Sequence, residues 1–162
     1  MNKSLLTHLN SLDPDWKSTS RIFGAAVESW AVAELTCDCG GSYADFPANK
    51  KGVDLQCESC SKLVQVKCSK KPFKPNRKSE LKIMGAEYTT TLTTLLDSPF
   101  DLLLVEYDSV ELMVNDVKLV RAGSMSSESV EPRKPLSNNA RRAGWQGCYL
   151  VFHVDQVETI PL

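Results

Sequence analysis

Apolar positions recur at helical spacing in only one long stretch, STSRIFGAAVESWAVAEL (18–35), where Ile22, Phe23, Ala26, Val27, Trp30 and Ala33 define one face. The Ser/Thr cluster at 18–20 offers an N-cap, so an amphipathic helix is expected there. Elsewhere the pattern changes to strands. Val53–Gln56 and Leu63–Cys68 alternate with period two, and DLLLVEY (101–107) is nearly continuous in apolar character, as in a strand buried on both faces. VELMVND followed by VKLV suggests a hairpin through Asn115-Asp116, and CYLVFHV a last strand. Between these lie turn-rich segments. Cys37–Lys51, with Gly40, Gly41, Pro47 and Asn49, reads as loop or knuckle, KKPFKPNRK as a loop, and AGSMSSESVEPRKP as a polar loop punctuated by proline. From Ile83 to Asp97 five threonines favour strand while the length and the bounding Ser98-Pro99 suit a helix; a helix is expected. The sum is a mixed α/β domain around a central sheet, with no internal repeat.

Length adds one constraint and charge another. The 162 residues suffice for one domain with its own core, and one domain spanning 1–162 is expected. No apolar run approaches the length a bilayer needs, and Met1–Asn10 carries Lys3 and polar residues where a signal peptide would be apolar, so a soluble, intracellular protein is expected with no membrane partner. The net charge of −1 conceals a pattern. From Lys67 to Lys82 there are seven basic residues against one acid, Glu80, while Asp101, Glu106, Asp108, Glu111 and Asp116 gather on the expected strand pair. A polyanion would be drawn to the basic stretch, Lys70, Lys71 and Lys74 included; a solvated lysine loop is the plain alternative.

Four of the six cysteines form two pairs, Cys37/Cys39 and Cys57/Cys60, separated by 17 residues. This approaches the two-knuckle zinc pattern, and four thiolates around one Zn²⁺ make a closed, structural site. The first pair is one residue short of the usual spacing. Either Gly40 and Gly41 let both thiolates reach one ion, or Cys68 or Asp38 completes the set. If the flanking strands are antiparallel, the metal pins the tip of their hairpin. On the second strand Gln65 and Lys67 share a face, Val64 and Val66 the other, and Asp54 on the first strand can lie beside them. An acid, a carbonyl able to bind metal and a lysine then converge. This D-x10-Q-x-K arrangement resembles the PD-(D/E)XK nuclease active site, in a variant with Gln65 at the second acidic position.

RKPLSNNARRAGWQGC (133–148) resembles a segment of the DpnI / Dam-replacing family of restriction endonucleases, whose type member cuts DNA with methylated adenine. ESW ahead of the first cysteine, both cysteine pairs, VDLQCESC, the lysine strand with its basic continuation, and GAEY leading to FDLLLVEY follow in the same order, over about Thr19–Val157. The resemblance implies a PD-(D/E)XK nuclease-like fold, with a central mixed sheet flanked by helices and a zinc-binding insertion at about 37–60. It implies zinc ligation by Cys37, Cys39, Cys57 and Cys60. It assigns Mg²⁺ binding to Asp54 and Gln65, joined by the Val66 carbonyl, and the catalytic lysine role to Lys67; a neutral amide weakens Mg²⁺ affinity or shifts preference to Mn²⁺. Glu28 is then either a supporting carboxylate or a solvated helix position. The implied partner is double-stranded, adenine-methylated DNA, with Arg141 and Arg142 on phosphates or guanine edges, Asn138 or Asn139 on adenine, and Trp145 against a base methyl. Cys148 is read as a core cysteine and His153 as a semi-buried, satisfied residue. The implied setting is the bacterial cytoplasm, of a host or its phage. No counterpart of the winged helix found in the family's type member is recognised. The function expected is a Mg²⁺-dependent, modification-dependent DNA endonuclease; the alternative is an inactive or weak module that binds methylated DNA.

Overall fold

The computed structural model describes residues 1–17, 19–47 and 52–162. Helix α1 (Leu6–Leu12) leads into α2 (Ser20–Glu34), where Thr19 accepts the Ile22 N–H at 3.3 Å as N-cap. Ser18 lies outside the described residues. Strands β1 (Tyr43–Asp45), β2 (Leu55–Cys57) and β3 (Leu63–Ser69) follow, then β4 (Glu80–Glu87), helix α3 (Tyr88–Asp97), β5 (Phe100–Asp108) and β6 (Met113–Val120). Short β7 (Val130–Pro132), β8 (Gly147–His153) and β9 (Val157–Thr159) complete the chain. A six-stranded sheet has the order β1-β2-β3-β5-β6-β9, and a three-stranded sheet the order β4-β8-β7. Among the described residues only β3 and β5 pair in parallel, so the large sheet is mixed.

The large sheet is covered on both faces, which explains the apolar run of β5, buried from Phe100 to Tyr107. Leu103, Val105 and Tyr107 pack with Val64 and Val66 against Phe23, Val27 and Trp30 of α2. The alternate residues Phe100, Leu102 and Leu104 pack against Leu95 of α3 and against Leu81, Ile83, Leu150 and Phe152 of the small sheet. Cys148 is fully buried in that second core, as expected, whereas His153 is exposed beside Asp155.

Three expected elements differ. Ile83–Glu87 is strand, and the helix begins only at Tyr88. Leu81 and Ile83 alternate inward opposite β8, and the Glu87 carboxylate then accepts the N–H groups of Thr89 and Thr90 at 3.1 and 2.6 Å. One acid caps the helix that the threonines obscured. Asn115-Asp116 is no turn but lies within β6, where the register against β5 shifts between Glu106 and Tyr107; a bulge uses the same residue types as a turn. The turn itself lies at 109–112, held by Asp108 Oδ1, which accepts Val110 and Glu111 N–H. Strand β8 is not the last, since β9 follows and joins the large sheet. Within 37–51, β1 was not expected, and 48–51, including Asn49, lies outside the described residues.

Candidate active site and metal centre

The four cysteine Sγ atoms all lie within 4.8 Å of one another. Cys37 and Cys60 are 3.7 Å apart and Cys39 and Cys57 3.5 Å, close to the ~3.8 Å edge of a sulfur tetrahedron around zinc with bonds of about 2.3 Å. The donor set therefore fits a metal ion such as zinc. Among the described residues this is the one group of three or more Cys, His, Asp or Glu side chains so gathered. The short first knuckle works through its glycines. Gly40 has φ +82°, and a Cβ on Gly41 would stand 2.9 Å from Cys57 Sγ and 2.4 Å from Ser59 Oγ, so the knuckles touch at a position where no side chain fits. Backbone N–H groups of Cys60 and Ser59 pull the Cys57 thiol down to about 6, whereas at Cys60 the Lys62 N–H is outweighed by the Cys39 and Cys57 sulfurs, which push its thiol up, the behaviour of thiols crowded together without a cation. Asp38 turns away from the thiolates to bond Lys62 at 3.0 Å and Arg121, and Cys68 lies in β3 beside the α2 core. Neither alternative ligand is among the four.

Strand β2 pairs with β3 through Leu55↔Val64 and Gln56↔Leu63, and upstream of Leu55 the chain leaves the ladder. Asp54 stands at that divergence. Its backbone N–H reaches Val64 O at 2.9 Å, and its side-chain Oδ2 accepts the Val66 N–H at 2.7 Å. The carboxylate thus replaces a strand at the edge of β3. Burial raises its pKa, offset in part by the Val66 N–H and by the Lys67 charge. From α2, Glu28 enters the same region: burial foremost, then the charges of Asp54 and Asp45, push it up to about 7, while Lys67 acts in the opposite sense. Asp45, on β1, was not singled out from the sequence. An acid in a turn-rich segment carries no signal until β1 pairs with β2 and sets it opposite Leu55.

Gln65 and Lys67 share one face of β3 but line different hollows. Gln65 is 6% exposed, its Oε1 has no hydrogen-bond partner among the described residues, and it borders a cavity of about 260 Å³ with Gly52, Ala86, Glu87, Thr90, Thr91, Thr94 and Phe100. Lys67 borders a second cavity, of about 300 Å³, with Cys68, Ser69, Phe73, Lys82, Ile83 and Met84. Asp54 and Lys67 are therefore brought together electrostatically at the β3 edge, whereas Gln65 faces α3.

Lys70, Lys71 and Lys74 are exposed on the β3–β4 loop, Lys70 lying over the Phe23 ring at 5.9 Å. Asn138, Asn139, Arg141 and Arg142 are exposed on the lobe joining β7 to β8. This lobe is closed by Leu136 N–H to Trp145 O at 2.9 Å and Arg133 N–H to Gly147 O at 2.9 Å. Half-buried Trp145 carries the Arg142 guanidinium 4.5 Å above its ring, within cation–π range. The lobe abuts the start of α3, since Tyr88 N–H bonds Gln146 O at 2.9 Å. Its residues thus stand near the Gln65 cavity, which Ala86 and Glu87 also line.

The mixed α/β domain thus carries a cysteine cluster that fits a metal ion, with an acid and a lysine at a frayed strand edge. The sequence model of the DpnI, Dam-replacing family matches residues 5–159, nearly the whole chain, and the chain belongs to that family. Membership points to a restriction-type DNA nuclease and to DNA as the partner. No helix among the described residues is long and apolar enough to cross a membrane.

Proposed function

We propose that this protein is a divalent-metal-dependent DNA endonuclease of PD-(D/E)XK type that acts on adenine-methylated duplexes. The observation that carries the reading is the placement of Asp54 and Lys67 at the edge of β3 that β2 leaves open, with Glu28 held near its protonation midpoint beside them. Hard cations bind oxygen donors. Asp54, Glu28 and Gln65 Oε1 supply such donors: Gln65 Oε1 has no hydrogen-bond partner among the described residues, and burial disfavours the charged forms of both carboxyls until a cation offsets it. Asp54 and Gln65 would hold Mg²⁺ or Mn²⁺, with Glu28 in support. The metal when bound supplies charge neutralisation at the phosphoryl oxygens and a lowered pKa for the attacking water. Lys67, a fixed cation at the same edge, stabilises negative charge that develops on the scissile phosphate. Glu28, near 7, can take up the proton of the attacking water at neutral pH.

Recognition is assigned to Asn138, Asn139, Arg141, Arg142 and Trp145, with Lys70, Lys71 and Lys74 on the phosphate backbone. An amide can pair bidentately with adenine and an arginine with guanine, while a flat indole face suits an N6-methyl group in the major groove. One observation favours a second reading, a methylated-DNA-binding module of weak or absent activity. Gln65 is neutral and borders the α3 cavity instead of the Lys67 cavity. Incubation with adenine-methylated and unmethylated plasmid in Mg²⁺ and in Mn²⁺ decides. Cleavage confined to methylated DNA and dependent on metal supports the nuclease; selective binding without cleavage supports the module.

A further inference from the structure

Among the described residues the outer face of the small sheet carries exposed or half-buried side chains. Leu81, Ile83, Leu150 and Phe152 point inward, which leaves Lys82, Met84, Tyr149 and Glu131 outward. Met84 and Glu131 are the register partners of Tyr149 on either side, so the three form one row across β4, β8 and β7. Met84 is 60% exposed. Two cations converge on the tyrosine: Lys82 Nζ lies 4.7 Å and the Arg133 guanidinium carbon 5.3 Å from its ring centroid. Held over an aromatic ring, long side chains keep a narrower range of positions while their charges remain available. Lys82 also pairs with Glu131 at 2.5 Å, whereas no carboxylate pairs with Arg133 among the described residues.

Position gives this row its meaning. Lys82 and Met84 line the same cavity as Lys67, so one end of the row is at the proposed site of cleavage. At the other end Arg133, the first residue after β7, helps close the 133–146 lobe, where its carbonyl accepts from Gln146 Nε2 at 2.8 Å. We propose that this face is a DNA-backbone track joining the cleavage edge to the recognition lobe, in which Lys82 and Arg133, arrayed on Tyr149, bind phosphates and Glu131 occupies Lys82 until DNA displaces it. The assignment rests on the reading that the chain binds duplex DNA. The charges favour a polyanion over a protein partner: Arg133, Lys134, Arg141 and Arg142 follow one another toward the lobe, with no salt bridge to any of them among the described residues.

The test is fluorescence anisotropy of a labelled, adenine-methylated duplex without added divalent metal, over a series of salt concentrations. Lys82→Gln with Arg133→Gln should flatten the log K against log salt slope by about 2, since each phosphate contact contributes roughly 0.9. Glu131→Gln should act in the opposite sense, tightening binding by about two- to fivefold as Lys82 loses its competitor. A misfolded variant would not bind more tightly. A parent that binds no DNA at all overturns the DNA reading, and this proposal with it. A parent that binds DNA while both variants keep its slope and affinity overturns this proposal alone. Parent-like DNA binding together with altered self-association in sedimentation also overturns it and reassigns the face to a second copy of the chain.

Discussion

Substituting alanine for Gly41 isolates the contact between the two cysteine knuckles. Gly41 is not in the left-handed region, so a methyl group there adds bulk without backbone strain. That methyl would stand 2.4 Å from Ser59 Oγ, 2.6 Å from Ser59 Cβ and 2.9 Å from Cys57 Sγ, where ordinary contacts fall at 3.4–4 Å. The Ser59 hydroxyl can rotate away, but its Cβ cannot. The second knuckle must therefore retreat by about 1 Å, and metal–sulfur distances tolerate only about 0.2 Å. Overpacking of this kind costs about 1–3 kcal/mol, which corresponds to roughly a 5- to 150-fold loss in zinc affinity. Competition against a chromogenic chelator reads that loss directly. Ser59→Gly in the same chain removes two of the three clashing atoms and should restore much of the affinity. If Gly41→Ala holds zinc as tightly as the parent, the two knuckles do not share one ion in the manner described.

Other perturbations address the remaining groups. Asp54→Ala and Lys67→Ala should each reduce cleavage by at least about 10²-fold while DNA binding by anisotropy persists, whereas Gln65→Glu should keep or raise activity at low Mg²⁺; a Lys67→Ala protein as active as the parent rules out the lysine's role. Glu28 titrates near 7 in the folded chain against 4.5 for its free side chain, so the folded state binds the extra proton between those values. Stability associated with Glu28 is complete below pH 4.5 and is lost as pH rises through 7, and Glu28→Gln should therefore raise the melting temperature at pH 8 but leave it unchanged at pH 4 in metal-free buffer. Equal shifts at both values would show that its burial does not govern its charge. Trp145→Ala should narrow the ratio of affinities for methylated and unmethylated duplexes more than it weakens unmethylated binding; an unchanged ratio removes the indole from methyl recognition.

Strong local signals in the sequence survive folding. Helix α2, strand β3 and the apolar β5 run appear where their patterns put them: α2 buries its marked face and β5 both of its faces, while β3 buries Gln65 as well as Val64 and Val66. The cysteine set was legible for the same reason: soft ligands in paired spacing have few other uses. Signals that depend on a distant partner were not. The end of β4 is set by β8 across sixty residues, and Asn115-Asp116 carries turn residues into a bulge that only the register of β5 defines. The same holds at the candidate site. Asp54, Gln65 and Lys67 were readable as a string, yet the separation of Gln65 from Lys67 into two hollows comes from α3 and β4 packing beneath β3. Asp38 shows the converse: between two cysteines it read as a ligand candidate, and Lys62 and Arg121, remote in sequence, draw it elsewhere.

Glu106 is buried in β5, yet it accepts the backbone N–H of Phe73 at 2.8 Å and the ammonium of Lys118 at 2.7 Å. Phe73 lies near the middle of the basic loop between β3 and β4, residues 70–79, and packs against the second core. The loop is thus two short arms pinned at the centre, not one long tether. Fixing a backbone residue costs about 1–2 kcal/mol of conformational entropy, and here much of that ordering is complete before any polyanion arrives. In the proposed complex Lys70, Lys71 and Lys74 would meet DNA as a prearranged set, and the Glu106 carboxylate beneath Phe73 would lower the ordering cost of that encounter.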